Sequence, residues 1–274
     1  MKIQYKTIKQ IAPHCGDCGE VLRGNGSYVL PYECEPCGIW AYEKEEGSND
    51  ISFHLSKPRR LLDYVEYPIF GYDYAPMKAI LGNDFITPEE VFKARGAKYT
   101  DDQLSDFIED CPSREVLKWC RDNEYMVVPG PNKPMSLLDI RELERSYFYS
   151  KEGGWYANET EAFAKSEKVT CHWYMLRKGI VPNSTSKTWS EQQGLLSNIE
   201  TTPTAVELVW GMTTYKAVRD IYLLGSLYAR TSSVDSCGDY VSVGFFDGVG
   251  LNVDGWDDGR RSAYVGVSSS RKTL

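Results

Sequence analysis

The final segments of the chain alternate with a period of two, and this pattern constrains the fold more than any other feature. After Asp220, five short apolar-alternating segments are separated by Gly, Asp and Ser turns. They read IYLL, LYARTSS, DYVSVGFF, LNVDGW and AYVGVSSS. Successive side chains of a strand point to opposite faces. The pattern therefore predicts a run of antiparallel strands with two different faces.

One face of these strands is expected to be aliphatic and buried: Val241, Val243, Leu251, Val253, Val265 and Val267. The opposite face is expected to point outward and is aromatic, polar and acidic: Tyr240, Ser242, Asn252, Asp254 and Tyr264. Aromatic residues with Arg dominate interface hot spots. We therefore expect the outward face to be a recognition surface.

Capped helices are predicted before the strands. Candidate N-caps precede helix-forming segments at six positions: Thr87, Thr100, Ser113, Ser136, Thr188 and Thr202. In the last helix, TAVELVWGMTTYKAVRD, an apolar stripe at helical spacing is interpreted as core: Val206, Val209, Trp210, Thr213 and Ala217. VVPGPNKP is interpreted as a break between helices, and His172 as a structural residue on a packed helix.

Four of the eight cysteines form two C-x2-C pairs, Cys15 with Cys18 and Cys34 with Cys37. The spacing is typical of a zinc site, with a hairpin between two tight turns that aim four thiolates at one structural ion. Two disulfides or free thiols are the alternatives. The other four cysteines, Cys111, Cys120, Cys171 and Cys237, show no pairing motif.

Composition narrows the function classes. The 274 residues carry a net charge of −8, which argues against a broad non-specific grip on nucleic acid. The N-terminus lacks the apolar core of a signal peptide, and no stretch has the apolar length of a membrane span. We expect no membrane insertion and a cytoplasmic or virion-associated protein.

Helices followed by strands resemble the C-type-lectin-like fold. The resemblance lies in VPNSTSKTWSEQQGLL, PTAVELVWGMTTYKAV, LYARTSS and the tail from VSVGFF to VGVSSSRK. It is closest to the variable proteins of diversity-generating retroelements and to the related formylglycine-generating-enzyme type. In such proteins a reverse transcriptase copies a template RNA inaccurately at adenines, and the copies replace the final exposed strands and loops.

The resemblance implies an α+β protein with three parts: a zinc ribbon at 1–57, a small α-helical connector at 58–134 and a C-type-lectin-like ligand-binding domain at 135–274. It implies a non-catalytic protein that binds changing protein or cell-surface ligands; the oligomeric state stays open. The expected ligand-binding residues are Asp235, Ser236, Cys237, Asp239, Tyr240, Ser242, Phe245, Asp247, Asn252, Asp254, Gly255, Trp256, Asp257, Asp258, Arg260 and Tyr264.

Three alternatives stay open. The protein could be a phage tail or receptor-binding accessory protein without diversification. A copper-dependent formylglycine-generating-type oxidase would need paired cysteines, but only Cys237 lies in the strand region. Calcium could bind Asp254, Asp257 and Asp258, although the EF-hand order and the lectin EPN-type and WND-type motifs are absent.

Overall fold

The computed structural model describes residues 73–272 and, N-terminal to them, only the backbone of six short strands. The chain forms two compact units, Met1–Gly71 and Tyr72–Leu274. The predicted boundary between a helical connector and a lectin-like domain at 134/135 lies inside the second unit. Strand pairing crosses it, as shown below.

In the first unit, the strands form one two-stranded and one four-stranded antiparallel sheet. The pairs are β1 with β6, and β2-β3-β4-β5 in order. Their bounds are β1 (Gln10–Ala12), β2 (Arg23–Gly24), β3 (Tyr32–Cys34), β4 (Ile39–Glu43), β5 (Phe53–Leu55) and β6 (Val65–Tyr67). The pairing of β2 with β3 lies between the two C-x2-C pairs, where a hairpin was predicted.

The second unit contains the helices. Their bounds are α1 (Ala75–Leu81), α2 (Pro88–Arg95), α3 (Asp101–Glu109), α4 (Arg114–Asp122), α5 (Leu137–Leu143), α6 (Phe163–Ser166), α7 (Trp189–Gln193) and α8 (Ala205–Arg219). Five predicted N-caps are confirmed, because each side chain accepts a hydrogen bond from a main-chain N–H of the first turn: Thr87, Thr100, Ser113, Ser136 and Thr188. The sixth was wrong, since α8 begins after Thr204, which forms a capping box with Glu207.

A four-stranded sheet joins parts of the chain that are distant in sequence. Its order is β7 (Tyr125–Pro129), β8 (Trp173–Arg177), β14 (Ser270–Arg271) and β9 (Glu200–Thr201). Strands β7 and β8 pair antiparallel along all five residues. The interpretation of VVPGPNKP as a break was therefore wrong at its start. His172 precedes a strand rather than lying on a helix.

Helix α8 packs closely against this sheet and is buried almost all round. A Cβ on Gly211 would come within 2.4 Å of Leu176 Cδ1, so the helix approaches β8 through a residue without a side chain. Trp210 is fully buried, and its Nε1 donates to the carbonyl of Pro129 at 2.9 Å. The sequence analysis therefore predicted too few core residues in α8, because both sides of the helix contact other parts of the protein.

The second four-stranded sheet contains most of the predicted C-terminal strands, in the order β12 (Asn252–Trp256), β11 (Tyr240–Gly244), β10 (Tyr228–Val234) and β13 (Val265–Val267). All six aliphatic residues predicted to face inward are buried. Two predictions were wrong. IYLL, at 221–224, forms no strand, and β13 runs parallel to β10, since the loop at 257–264 carries the chain back before β13 begins.

The described part of the protein is thus a mixed α+β structure. No helix within it is long and apolar enough to cross a membrane.

Candidate ligand-binding face of the C-terminal sheet

The strand register places the predicted outward residues in neighbouring rows. Tyr240 lies opposite Trp256, and Ser242 lies opposite Asp254. Gly244 lies between Asn252 on β12 and Tyr228 on β10. We call this side of β10, β11 and β12, together with the loops at 235–239 and 257–264, the C-terminal face.

Exposure on the C-terminal face is uneven. Tyr264 is 64% exposed, and Asp254 is exposed as well. Asn252 and Tyr240 are half-buried, and the Tyr240 ring stacks on Trp189 of α7 with centroids 3.8 Å apart. These four positions therefore remain accessible in whole or in part.

Ser242 was predicted to point outward, and this prediction was wrong. It is fully buried, and its hydroxyl has no hydrogen-bond partner in the described structure. Its neighbour on β10, on the same side of the sheet, is Arg230. The groups that bind Arg230 come from α7 and from the loop at 257–260, so these elements cover this part of the face.

Arg230 is a site residue that the sequence reasoning missed. It is fully buried; Nη1 donates to Gln192 Oε1 at 3.1 Å, and Nη2 donates to the carbonyls of Asp257 and Arg260 at 2.7 and 2.8 Å. Desolvation lowers its pKa, while the carboxylate of Asp258 acts in the opposite direction. The sequence feature that could have identified it is a charged residue within the predicted strand LYARTSS.

Three predicted ligand residues hold the scaffold instead. Asp235 Oδ1 accepts from the main-chain N–H groups of Cys237 and Asp239 at 2.8 and 3.0 Å, which closes the loop between β10 and β11. The Ser236 hydroxyl and main-chain N–H both donate to the buried carboxylate of Glu161. A Cβ on Gly255 would lie 2.6 Å from Asp235 Oδ2, so a side chain here requires the Asp235 carboxylate to shift.

The remaining aromatic residues are half-buried and pack against local partners. The Arg260 guanidinium lies over the Trp256 ring, 4.7 Å from its centroid, and Trp256 Nε1 donates to the Arg260 carbonyl at 3.2 Å. Phe245 packs on Tyr228 with ring centroids 4.8 Å apart. Each of these side chains therefore presents one side to solvent.

Acidic groups dominate the accessible part of the face. Asp257 and Asp258 are exposed, and Asp239 is half-buried. Desolvation raises the pKa of Asp239, and the carboxylates of Asp235, Asp257 and Asp258 raise it further. Asp247 lies in the separate β11–β12 loop, where Oδ1 accepts from the Val249 N–H at 2.8 Å.

The calcium and zinc predictions have different outcomes, because only the acidic side chains lie in the described part of the chain. Among residues 73–272, no three His, Cys, Asp or Glu side chains are placed to hold an ion, so Asp254, Asp257 and Asp258 form no such group. The predicted zinc ligands Cys15, Cys18 and Cys37, and the side chain of Cys34, lie outside the described residues. The zinc site stays a prediction.

Three thiols of the second unit, those of Cys111, Cys120 and Cys171, are protonated at neutral pH. Burial raises the pKa of Cys111 and Cys171 to about 11 and that of Cys120 to about 12. A protonated thiol is a poor nucleophile and metal ligand. Cys237 is exposed, and no disulfide joins these four cysteines.

Comparison with known proteins identifies no relative: no family model, curated protein or solved structure matches the chain.

Proposed function

We propose that the protein is a ligand-binding protein whose C-terminal face recognises a protein or cell-surface ligand, and that a diversity-generating retroelement changes this face. One observation carries the proposal: at positions 257, 258, 260 and 264 the exposed loop of the face is anchored to neighbouring elements through its main-chain carbonyls.

The main-chain anchors occur along the whole loop. Arg230 binds the carbonyls of Asp257 and Arg260, and the Trp189 N–H donates to the carbonyl of Asp258 at 3.0 Å. At the end of the loop, the Tyr228 N–H donates to the carbonyl of Tyr264 at 2.8 Å. Every residue type has a carbonyl, so these bonds survive replacement of the side chains.

The presented side chains suit recognition. Tyr264 and the half-exposed Trp256 and Tyr240 offer rigid area, while Asp254 and Asp257 offer charge that can orient a partner. The buried aliphatic side of the same strands keeps the scaffold fixed. The resemblance to lectin-like variable proteins supports the same assignment, with Asp235, Ser242 and Gly255 kept constant as scaffold positions.

The locus tests diversification directly. We expect a reverse-transcriptase gene beside a near-repeat of the 3′ end of this gene, and isolates that differ at codons 254, 256, 257, 260 and 264. Codons 241, 243 and 255 should not vary. Variation concentrated in α2 to α5 contradicts the proposal. An invariant tail without a near-repeat contradicts diversification and leaves only the proposal that the face binds a ligand.

A substitution series tests the tolerance of the face. We expect Asp254→Ser, Asp257→Ser and Tyr264→Ser to change the free energy of unfolding by within about 0.5 kcal/mol each, as surface changes do. Val241→Ser should cost about 2 to 4 kcal/mol, because it places a hydroxyl in the core and removes buried apolar volume. Equal losses for both groups in urea unfolding contradict a replaceable face.

A further inference from the structure

A cavity of about 640 Å³ lies in the second unit, away from the C-terminal face. It is bounded by the connection between α3 and α4, by the start of β8 and by the end of β14. Small-molecule sites typically measure roughly 300 to 1,000 Å³. The cavity therefore has the size of a ligand site, and none of its lining residues belongs to the face described above.

The cavity contains an arginine whose hydrogen bonds are incomplete. Arg271 lines it, and its Nε and Nη1 atoms are buried with no acceptor in the described part of the chain. The guanidinium lies over Trp119 of α4, 4.8 Å from the ring centroid. Leaving buried charged donors unpaired is costly. Among the lining residues, the Arg271 guanidinium is therefore the group with unused hydrogen-bonding capacity.

The other lining residues indicate what chemical groups a ligand of this cavity would carry. Val116, Trp173 and Met175 give apolar walls. Lys272 adds a second cation, whose Nζ donates to the carbonyl of Asn198 at 3.0 Å. The lining thus combines cationic side chains with apolar walls, which suits a ligand with a charged end and an apolar body.

The charge balance favours a single negative charge on the ligand. Glu109 and Asp110, both exposed, line the same cavity as Arg271 and Lys272. These carboxylates balance the two cations, so the lining has no excess positive charge to compensate the second negative charge of a phosphate. We propose that this cavity binds a small organic carboxylate, with its carboxylate at Arg271 and its apolar body against Trp173 and Met175.

The test is calorimetric titration of the full chain with 3-phenylpropionate, 3-phenylpropanamide and phenyl phosphate. We expect 3-phenylpropionate to bind, with the neutral amide about 10- to 100-fold weaker, as loss of a charge-assisted hydrogen bond requires. No binding of the carboxylate at millimolar concentration, equal binding of the amide, or tighter binding of phenyl phosphate overturns the proposal.

Two variants locate the site. Arg271→Met keeps the apolar stem and should weaken 3-phenylpropionate about 10- to 100-fold, whereas Arg145→Met, at an exposed arginine paired with Glu142, should leave it unchanged. Val116→Trp should also abolish binding, because it fills the cavity while Arg271 remains. If Arg271→Met does not fold, Val116→Trp decides alone, and full binding by this variant refutes the site.

Discussion

Replacement of Arg230 by methionine tests how the C-terminal face is held. The change removes the donor to Gln192 Oε1 and one of the two donors to each carbonyl, since the Asp257 carbonyl keeps the Arg260 N–H and the Arg260 carbonyl keeps Trp256 Nε1. Each unsatisfied buried group costs about 1 to 3 kcal/mol. The loop at 257–260 can open and hydrate its carbonyls, and burial of the guanidinium itself is no longer required. We therefore expect a net loss of about 1 to 3 kcal/mol, chiefly from the Gln192 oxygen that is left without a donor.

Urea unfolding measures this loss, and amide hydrogen exchange at 257–262 shows where it arises. The matched control is Arg261→Met in the same loop, because Arg261 is exposed and its ion pair with Glu191 should contribute less than about 1 kcal/mol. A loss below about 1 kcal/mol for Arg230→Met, with unchanged exchange in the loop, would refute the anchoring role.

Four further outcomes are expected. Gly255→Ala should cost about 1 to 3 kcal/mol in urea unfolding, because its Cβ displaces the carboxylate of Asp235, whereas Gly248→Ala, in open space, should be neutral. Ser242→Ala should be neutral or stabilise by up to about 1 kcal/mol, because it removes a buried hydroxyl that lacks a partner among the described residues; a clear loss would show that the hydroxyl is satisfied. Glu90 has its pKa lowered from 4.5 to about 2, since hydrogen bonds from Arg219 and Thr87 outweigh partial burial. Its stabilisation is therefore present above about pH 4.5 and lost as the pH falls toward 2, so the advantage over Glu90→Gln, up to about 3 kcal/mol, should shrink across that window. Elemental analysis of the purified chain should find about one zinc per molecule if the two C-x2-C pairs form a ribbon.

Local rules predicted the helix starts, because an N-cap is decided by a few neighbouring residues. Thr87, Thr100 and Thr188 each lie three residues before the Glu or Gln that completes the capping box. Thr202 failed because Thr204 has the same relation to Glu207 and lies nearer the apolar run. Only Thr204 has a Glu three residues later, so the capping-box rule selects it, and the error lay in taking the residue before Pro203 as the N-cap.

Strands β7 and β8 escaped prediction for a different reason. Their first four residues are buried on both faces, so the segments show a continuous apolar run rather than alternation. Such a run does not distinguish a buried strand from a buried helix. The pairing that makes them strands joins residues far apart in sequence, and it is not visible in either segment.

The error at Ser242 has a tertiary origin. Alternation correctly placed it on the side opposite Val241 and Val243, but the faces of a strand do not reveal what covers them. Helix α7 and the loop at 257–260 cover it, and Arg230 donates hydrogen bonds to both. A charged residue in a strand is usually assigned to solvent, so the residue that organises the face was the one that pattern reasoning passed over.

This arrangement also decides which parts of the face can change. The loop at 257–260 is anchored by bonds from the Arg230 side chain to main-chain carbonyls at positions that we propose to vary, so a new side chain at Arg260 keeps this anchor. In the loop at 235–239 the Asp235 side chain closes the turn, and a Cβ at Gly255 would displace the Asp235 carboxylate. Replacement of Asp235 or Gly255 therefore changes the shape of the proposed docking surface, whereas replacement of Arg260, whose anchor is a carbonyl, changes mainly the side chain that this surface presents.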